Sequence, residues 1–378
     1  MKKIIIIPDS FKGTMASREI GEIIAREAAA CWPHAQIIRA EVADGGEGSV
    51  DSFLAVLPGS KIFLDVQGPY GEPVRSFYGR IGDTAVIEMA AAAGLPLVGE
   101  CPDAGRASTF GVGQLMLHAI ESGARKLILG LGGSATNDGG TGAAAALGIR
   151  FLDSRGHSFV PVGNTLHLID RIDVGPAAAR LNGISVVAMC DINNPLCGRQ
   201  GAAAVFGPQK GADHNAVKRL DTGLHHMADV IRHDLGTDVL TIPGGGAAGG
   251  MGAGAAAFFG AELKSGIDVV LDTIRFEEML DSCSMVVTGE GRIDGQSAHG
   301  KVIAGIAARA ARHNVPVIAL VGDIADDADQ MYQKGVSAIF SINRVALPYS
   351  EIKHRAPSDL RKTARNVFRF ARLAKEIP

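Results

Sequence analysis

The residues of this chain with the most chemical potential sit in short loops that follow β-branched runs. Ile4–Ile7 leads into Asp9, Ser10 and Lys12. Ile37–Val42 leads into Asp44 and Glu47, and Lys126–Leu131 into the segment Gly130–Gly140 with Gly132, Gly133, Ser134, Asn137 and Asp138. Val186–Met189 ends at Asp191, with Asn194 close by, and Met285–Thr288 runs into Glu290, Arg292 and Asp294. Lys210 and Lys301 add two further cations. For any one of these taken alone, a helix cap or a surface ion pair is the commoner role. Random surface charge would not recur at strand ends, however. Cations, carboxylates and glycines together suit phosphoryl transfer, which is mostly positioning and charge neutralisation. A magnesium ion would need only a few of the carboxylates, with water and phosphate oxygens completing its shell.

Glycine loops that wrap an anion turn backbone N–H groups inward, and a Cβ would block the approach. Gly-Leu-Gly-Gly-Ser-Ala-Thr-Asn-Asp-Gly-Gly at 130–140 has that character and precedes a helix expected near Thr141, whose N-terminus favours negative charge. The same stretch imitates a dinucleotide fingerprint, Gly130-x-Gly132-x-x-Ala135 with Asp153 further on, which makes an NAD(P)-dependent hydroxy-acid oxidoreductase the alternative reading. Against it, Asp138-Gly139-Gly140 interrupts the helix that should begin at once. Residues 295–301 imitate a P-loop, but Val302 stands where a hydroxyl should hold the metal. The eleven histidines show no zinc-like spacing, and Gly132-Gly133-Ser134-Ala135 lacks the closing glycine of a nucleophile elbow.

These loops need elements to hold them. Strands alternating with helical patterns, such as the apolar periodicity of Ile20, Ile23 and Ile24 in a helix from about Ser17 to Cys31, imply parallel sheets whose ligands bind beyond the carboxyl ends of the strands. A chain of 378 residues suits two domains. Its 47% hydrophobic but only 5% aromatic content asks for aliphatic cores under Ala-rich helices. Both ends of the chain read as regular βα units. Residues 1–64 and 285–378 are therefore expected to form a discontinuous flavodoxin- or Rossmann-like domain, with 65–284 inserted as a second α/β domain. The Gly- and Ala-rich stretch 244–260 reads as backbone packed against something. A net charge of −3 without a long basic run argues against nucleic acid. The apolar run at Ile4–Ile7 is too short for a signal peptide, and no stretch suits a membrane span. Five cysteines without a CxxC pair fit a reduced, cytoplasmic setting.

The motifs Pro8–Gly13, Val42–Gly48, Gly130–Gly140, Cys190–Gly198, Phe206–Ala212, Gly246–Gly252, Thr288–Asp294 and Gly300-Lys301, in that order along the whole chain, resemble the bacterial glycerate kinases of the glucarate- and glyoxylate-pathway type. The resemblance implies transfer from ATP, with Mg²⁺, to D-glycerate, commonly giving 2-phosphoglycerate, with 3-phosphoglycerate the less favoured product. It also implies two α/β domains with the active site in the cleft between them; the chain is expected to be a monomer or homodimer. On that reading Asp191 is the expected base for the glycerate hydroxyl, while Lys12 and Arg292 meet the substrate carboxylate or the moving phosphate. Glu290 and Asp294 are expected to hold Mg²⁺. Asp9, Ser10, Asp44, Gly132, Gly133, Ser134, Asn137, Asp138, Asn194, Lys210 and Lys301 are expected to bind substrate or phosphate. One departure is Gln114, where relatives often carry Glu.

Overall fold

A computed structural model describes residues 3–41, 46, 48–295 and 302–374. The chain divides into two compact units, Met1–Ala43 with Ile267–Pro378, and Asp44–Gly266. The first unit opens with β1 (Lys3–Ile6) and β2 (Gln36–Arg39). The second unit supplies β3 (Ser60–Gln67), β4 (Pro73–Ile81), β5 (Thr84–Glu88) and β6 (Lys126–Gly130). There follow β7 (Arg150–Leu152), β8 (Ser158–Phe159) and β9 (Arg171–Asp173), then β10 (Ser185–Met189) and β11 (Glu262–Lys264). Back in the first unit come β12 (Met285–Thr288), β13 (Arg292–Ile293), β14 (Val317–Val321), β15 (Asp323–Ile324) and β16 (Ala338–Ser341).

The first unit is built on a five-stranded sheet in the order β16-β14-β12-β1-β2, with every pair parallel. Counted within the unit this is the flavodoxin-like order, and β1 and β12 flank the point where strand order reverses. Ile4, Ile5, Ile6 and Ile7 are all fully buried, as are Val286 and Val287, the near-continuous apolar runs of a sheet covered on both faces. The helix Ser17–Cys31 begins and ends where the periodicity placed it. Ala16, not Ser17, holds its N-cap position, and Ser17 Oγ instead donates to the carbonyl of Pro8 at 2.6 Å, pinning the helix to the loop after β1. The helix Tyr349–Ala374 packs beside it through Ala356, Leu360, Ala364, Val367 and Phe368, spaced to form one apolar face.

The second unit carries a six-stranded sheet, β11-β10-β6-β5-β4-β3. The strands β5, β6, β10 and β11 run parallel, and β3 and β4 add an antiparallel edge. Its core is aliphatic and alanine-rich, as the composition required. The strands β7, β8 and β9 form a separate small antiparallel sheet. Residues 60–64, expected in the first domain, lie in β3, which pairs with β4 from Ser60–Arg80 to Gln67–Pro73 and so belongs to the second unit. The segment from Ile267 belongs to the first unit. There Arg309, of the helix Val302–Arg312, binds Asp268, Asp272 and Glu277 at 2.9, 2.6 and 3.0 Å. Among the described residues no helix is long and apolar enough to cross a membrane.

Candidate active site

In the first unit, the loops after β1, β12 and β14 are stitched together by backbone hydrogen bonds. Asp9 N–H donates to Gly289 O at 2.8 Å, Gly322 N–H to Glu290 O at 3.1 Å, and Asp323 N–H to Gly291 O at 3.0 Å. These approaches require glycine: a Cβ on Gly289 would lie 2.2 Å from Leu320 O, and one on Gly322 would lie 2.3 Å from Gly291 O. The stitching shapes a cavity of about 580 Å³ at the switch point between β1 and β12. Five of the residues expected from sequence line it together, namely Asp9, Ser10, Lys12, Glu290 and Arg292. Glu290 is 6% exposed, whereas Arg292 is exposed and 3.8 Å from Asp323, its register partner between β13 and β15. Asp294 follows β13 and is not part of the lining.

Sequence reasoning missed one wall of this cavity. Tyr349, Ile352, Lys353 and Ala356 come from the long C-terminal helix. Tyr349 Oη lies 3.0 Å from Thr14 Oγ1, closing the wall against the loop after β1. The signal was present as i, i+3, i+4 and i+7 spacing on one face of the helix.

In the second unit a smaller cavity of about 260 Å³ forms where β6 and β10 end. Gly132, Gly133, Ser134, Asp191 and Lys210 line it, with Leu95, Leu131 and Phe206 among the apolar contributors. Met189 pairs with Gly130 in the sheet, so both loops leave adjacent strands at the same level. Asp191 is exposed, and its Oδ1 accepts the Gly266 N–H at 2.8 Å. Lys210 is only 2% exposed; its Nζ donates to Ser134 Oγ at 2.8 Å and to Thr136 O at 2.7 Å. Burial pulls its pKa down to about 7, against the opposing pull of Asp138.

Only the first half of the 130–140 loop reaches this cavity. Asp138 is wholly buried, and its carboxylate accepts from Thr109 N–H at 2.7 Å, Thr109 Oγ1 at 2.8 Å, and the N–H groups of Gly140 at 3.1 Å and Gly142 at 3.3 Å. The amides at the start of the short helix Thr141–Ala146 thus face an internal carboxylate, not an outside anion. Burial raises the pKa of Asp138 in spite of these bonds. Asn137 is also wholly buried, and neither its Oδ1 nor its Nδ2 has a hydrogen-bond partner among the described residues; nor does Thr136 Oγ1. Asn194 Nδ2 donates to Gln200 O at 2.8 Å, which closes its own loop outside the cavity lining. Asp44 and Lys301 lie outside the described residues.

Three further observations sharpen the picture. The dinucleotide reading fails because Asp153 follows β7 in the small antiparallel sheet, where its Oδ1 accepts from the N–H groups of Arg155 and His157 in a turn. Gln114 uses its Oε1 to accept the Gln67 N–H at 2.7 Å, a bond that a glutamate oxygen could also make. Glu88, at the end of β5, is a strand-end acid that sequence reasoning passed over. It is 3% exposed, accepts the Val50 N–H at 2.7 Å, and burial raises its pKa. Its run Thr84–Glu88 followed the same strand-then-acid pattern as the others.

Two α/β units, each with charged residues gathered at the carboxyl ends of parallel strands, place the chain in the α/β class. A family model described as the glycerate kinase family matches residues 4–372. A glycerate kinase of Bacillus cereus is 43% identical, with 99% of each chain covered, and a glycerate 2-kinase of Escherichia coli K12 is 43% identical, with 97% of each covered. A crystal structure of a protein assigned as glycerate kinase 2 from Salmonella typhimurium LT2 superposes with a TM-score of 0.87 at 41% identity, covering all of both chains. The chain belongs to the glycerate kinase family and is a phosphotransferase.

Proposed function

We propose that this chain transfers the γ-phosphoryl group of Mg-ATP to D-glycerate and releases 2-phosphoglycerate and ADP. The observation that carries this reading is the gathering of Asp9, Ser10, Lys12, Glu290 and Arg292, from opposite ends of the sequence, around one cavity at the switch point. A hydroxyl oxygen of glycerate bonds to the γ-phosphorus as the bond to the β,γ-bridging oxygen breaks, and the hydroxyl proton passes to Asp191. Gly266 N–H holds the Asp191 carboxylate in place for that task. Lys12 and Arg292 offset charge on the transferring group. Choice of the 2-hydroxyl is supported by the name of the Escherichia coli relative, a glycerate 2-kinase.

The donor set bears on magnesium. Among the described residues no group of three or more His, Cys, Asp or Glu side chains is placed to hold a metal. Magnesium takes one or two carboxylates and otherwise water and phosphate oxygens. Glu290, buried in the cavity wall, with Asp294 nearby in sequence, fits an ion that arrives with the nucleotide. When bound, that ion neutralises charge on the phosphates.

The test is to mix the protein with Mg-ATP and D-glycerate, follow ADP, and identify the product by phosphorus NMR. ADP with 2-phosphoglycerate is expected. A 3-phosphoglycerate resonance would overturn the position, and no ADP would overturn the reaction.

A further inference from the structure

The first unit's cavity and the one at the ends of β6 and β10 differ in size, wall and charge, and we infer that they divide the substrates: the cavity at the ends of β6 and β10 receives D-glycerate, with Lys210 meeting its carboxylate, and the first unit's cavity receives the nucleotide. This assignment rests on the kinase reading above.

Size comes first. Pockets for ligands of drug or cofactor dimensions run to roughly 300–1,000 Å³. The first unit's cavity, at about 580 Å³, falls inside that range, and the one at the ends of β6 and β10, at about 260 Å³, falls below it. The smaller cavity suits a three-carbon acid and is short of room for a nucleoside triphosphate.

The walls agree. In the larger cavity Phe11, Ile342, Ile352, Ala356 and the Tyr349 ring form an apolar side suited to a flat base. The cations Lys12, Arg292 and Lys353 share it with the acids Asp9, Glu290 and Asp323, a mixture that matches a polyphosphate and its counter-ion. Among the described residues, the smaller cavity has one cation in its lining, Lys210, and one carboxylate, Asp191. One cation for a carboxylate and one base for a hydroxyl is the complement of a hydroxy acid.

Lys210 is built for this role. An ammonium group has three donors; among the described residues Ser134 Oγ and Thr136 O take two of them, fixing the head group and leaving a third N–H for an occupant. A charge held this far from water interacts strongly with an incoming anion. Among the described residues the buried atoms Thr136 Oγ1, Asn137 Oδ1 and Asn137 Nδ2 have no hydrogen-bond partner; they lie behind the cavity lining, on the loop that also anchors Lys210. Buried polar groups are rarely left unsatisfied, so this end of the second unit is polar beyond what the fold itself consumes. The leucines and Phe206 face the carbon skeleton.

Steady-state kinetics on the full chain separate the assignments. Lys210→Met should raise KM for D-glycerate by about tenfold or more, the worth of one charged hydrogen bond, and leave KM for ATP nearly unchanged. Tyr349→Ala, at a residue 62% exposed, should do the reverse. Should Lys210→Met fail to fold, Gln209→Trp, an exposed position in the same lining, must still raise the glycerate KM alone by filling the cavity. The assignment is overturned if the second-unit variants raise KM for ATP while that for glycerate stays put. It is equally overturned if Tyr349→Ala acts on glycerate. A wild-type protein without glycerate-dependent ADP release would remove the kinase reading and the assignment together, an outcome distinct from a swapped KM pattern.

Discussion

Asp138 and Asp191 are both aspartates in loops that follow parallel strands, and their surroundings give them opposite work. Asp138 accepts four hydrogen bonds inside the protein and is closed off from solvent. Asp191 Oδ1 accepts the Gly266 N–H, and the residue is exposed to solvent in a cavity wall. Asp191→Asn should therefore keep its fold and lower kcat by roughly 10²–10⁴-fold, the usual worth of positioned acid–base help. Near-normal turnover would remove Asp191 from the reaction. Asp138→Asn turns an amide NH₂ toward N–H donors and should cost about 2–4 kcal/mol of stability in urea unfolding, with the kcat of the folded fraction largely kept. The sequence could not separate these two residues, since both read as an acid beyond a strand; burial separates them, and burial is a property of the packed loop. Lys210 carries the pH prediction. Its folded pKa is about 7 against an ordinary 10.5, so the free enzyme loses this positive charge as pH rises through 7. Binding a carboxylate needs the charge, so KM for D-glycerate should be flat below pH 7 and climb above it, and the climb should vanish in Lys210→Met. A glycerate KM independent of pH between 6 and 9 in the wild type would count against that role.

At the scale of elements, the glycine-rich segments explain each other. Gly139 N–H donates to Gly249 O at 3.0 Å, and a Cβ on Gly254 would sit 2.1 Å from Gly139 O. A Cβ on Gly249, at φ +66°, would lie 1.9 Å from Thr136 O. The helix Ala247–Phe259 thus packs backbone to backbone on the 136–140 loop, which is the unnamed something that the Gly- and Ala-rich stretch was expected to pack against. Gly254→Ala should destabilise the protein by about 1–3 kcal/mol or more through overpacking, read as a lower urea midpoint, although Gly254 is no part of either cavity lining. An unchanged midpoint would mean the loop and helix can separate at no cost. The strands β1, β2, β6, β10 and β12 were legible as β-branched runs, and the helix Ser17–Cys31 because its apolar periodicity is strong. The purpose of each glycine was not. A ligand and a neighbouring backbone both demand a missing Cβ, so the 130–140 loop looked like one anion cradle, whereas Gly132 and Gly133 face a cavity and Gly139 and Gly140 face a helix.

At the scale of the whole molecule, each unit has a core of its own, one around Ile4, Ile6, Leu320 and Phe368 and the other around Leu127, Leu129, Phe151 and Met251. The chain passes from one unit to the other at 43/44 and 266/267. In the sequence, chain length suited two units and the alternation of strand and helix gave their α/β character. It did not reveal β3 and β4 as an antiparallel edge, since Ser60–Gln67 mixes charged and apolar residues on a strand with one open side. Separate cores make unfolding a two-part process, because chains with more than one domain commonly depart from a single two-state transition. A ligand stabilises whatever folded unit binds it, by an amount that grows with the logarithm of its concentration relative to Kd. Calorimetry should then resolve two transitions. D-glycerate should raise the one that Lys210→Met makes insensitive to glycerate, and Mg-ADP should raise the other, which Tyr349→Ala makes insensitive to nucleotide. A single transition moved equally by either ligand would show that the units melt as one body, and that their separate cores do not translate into separate stabilities.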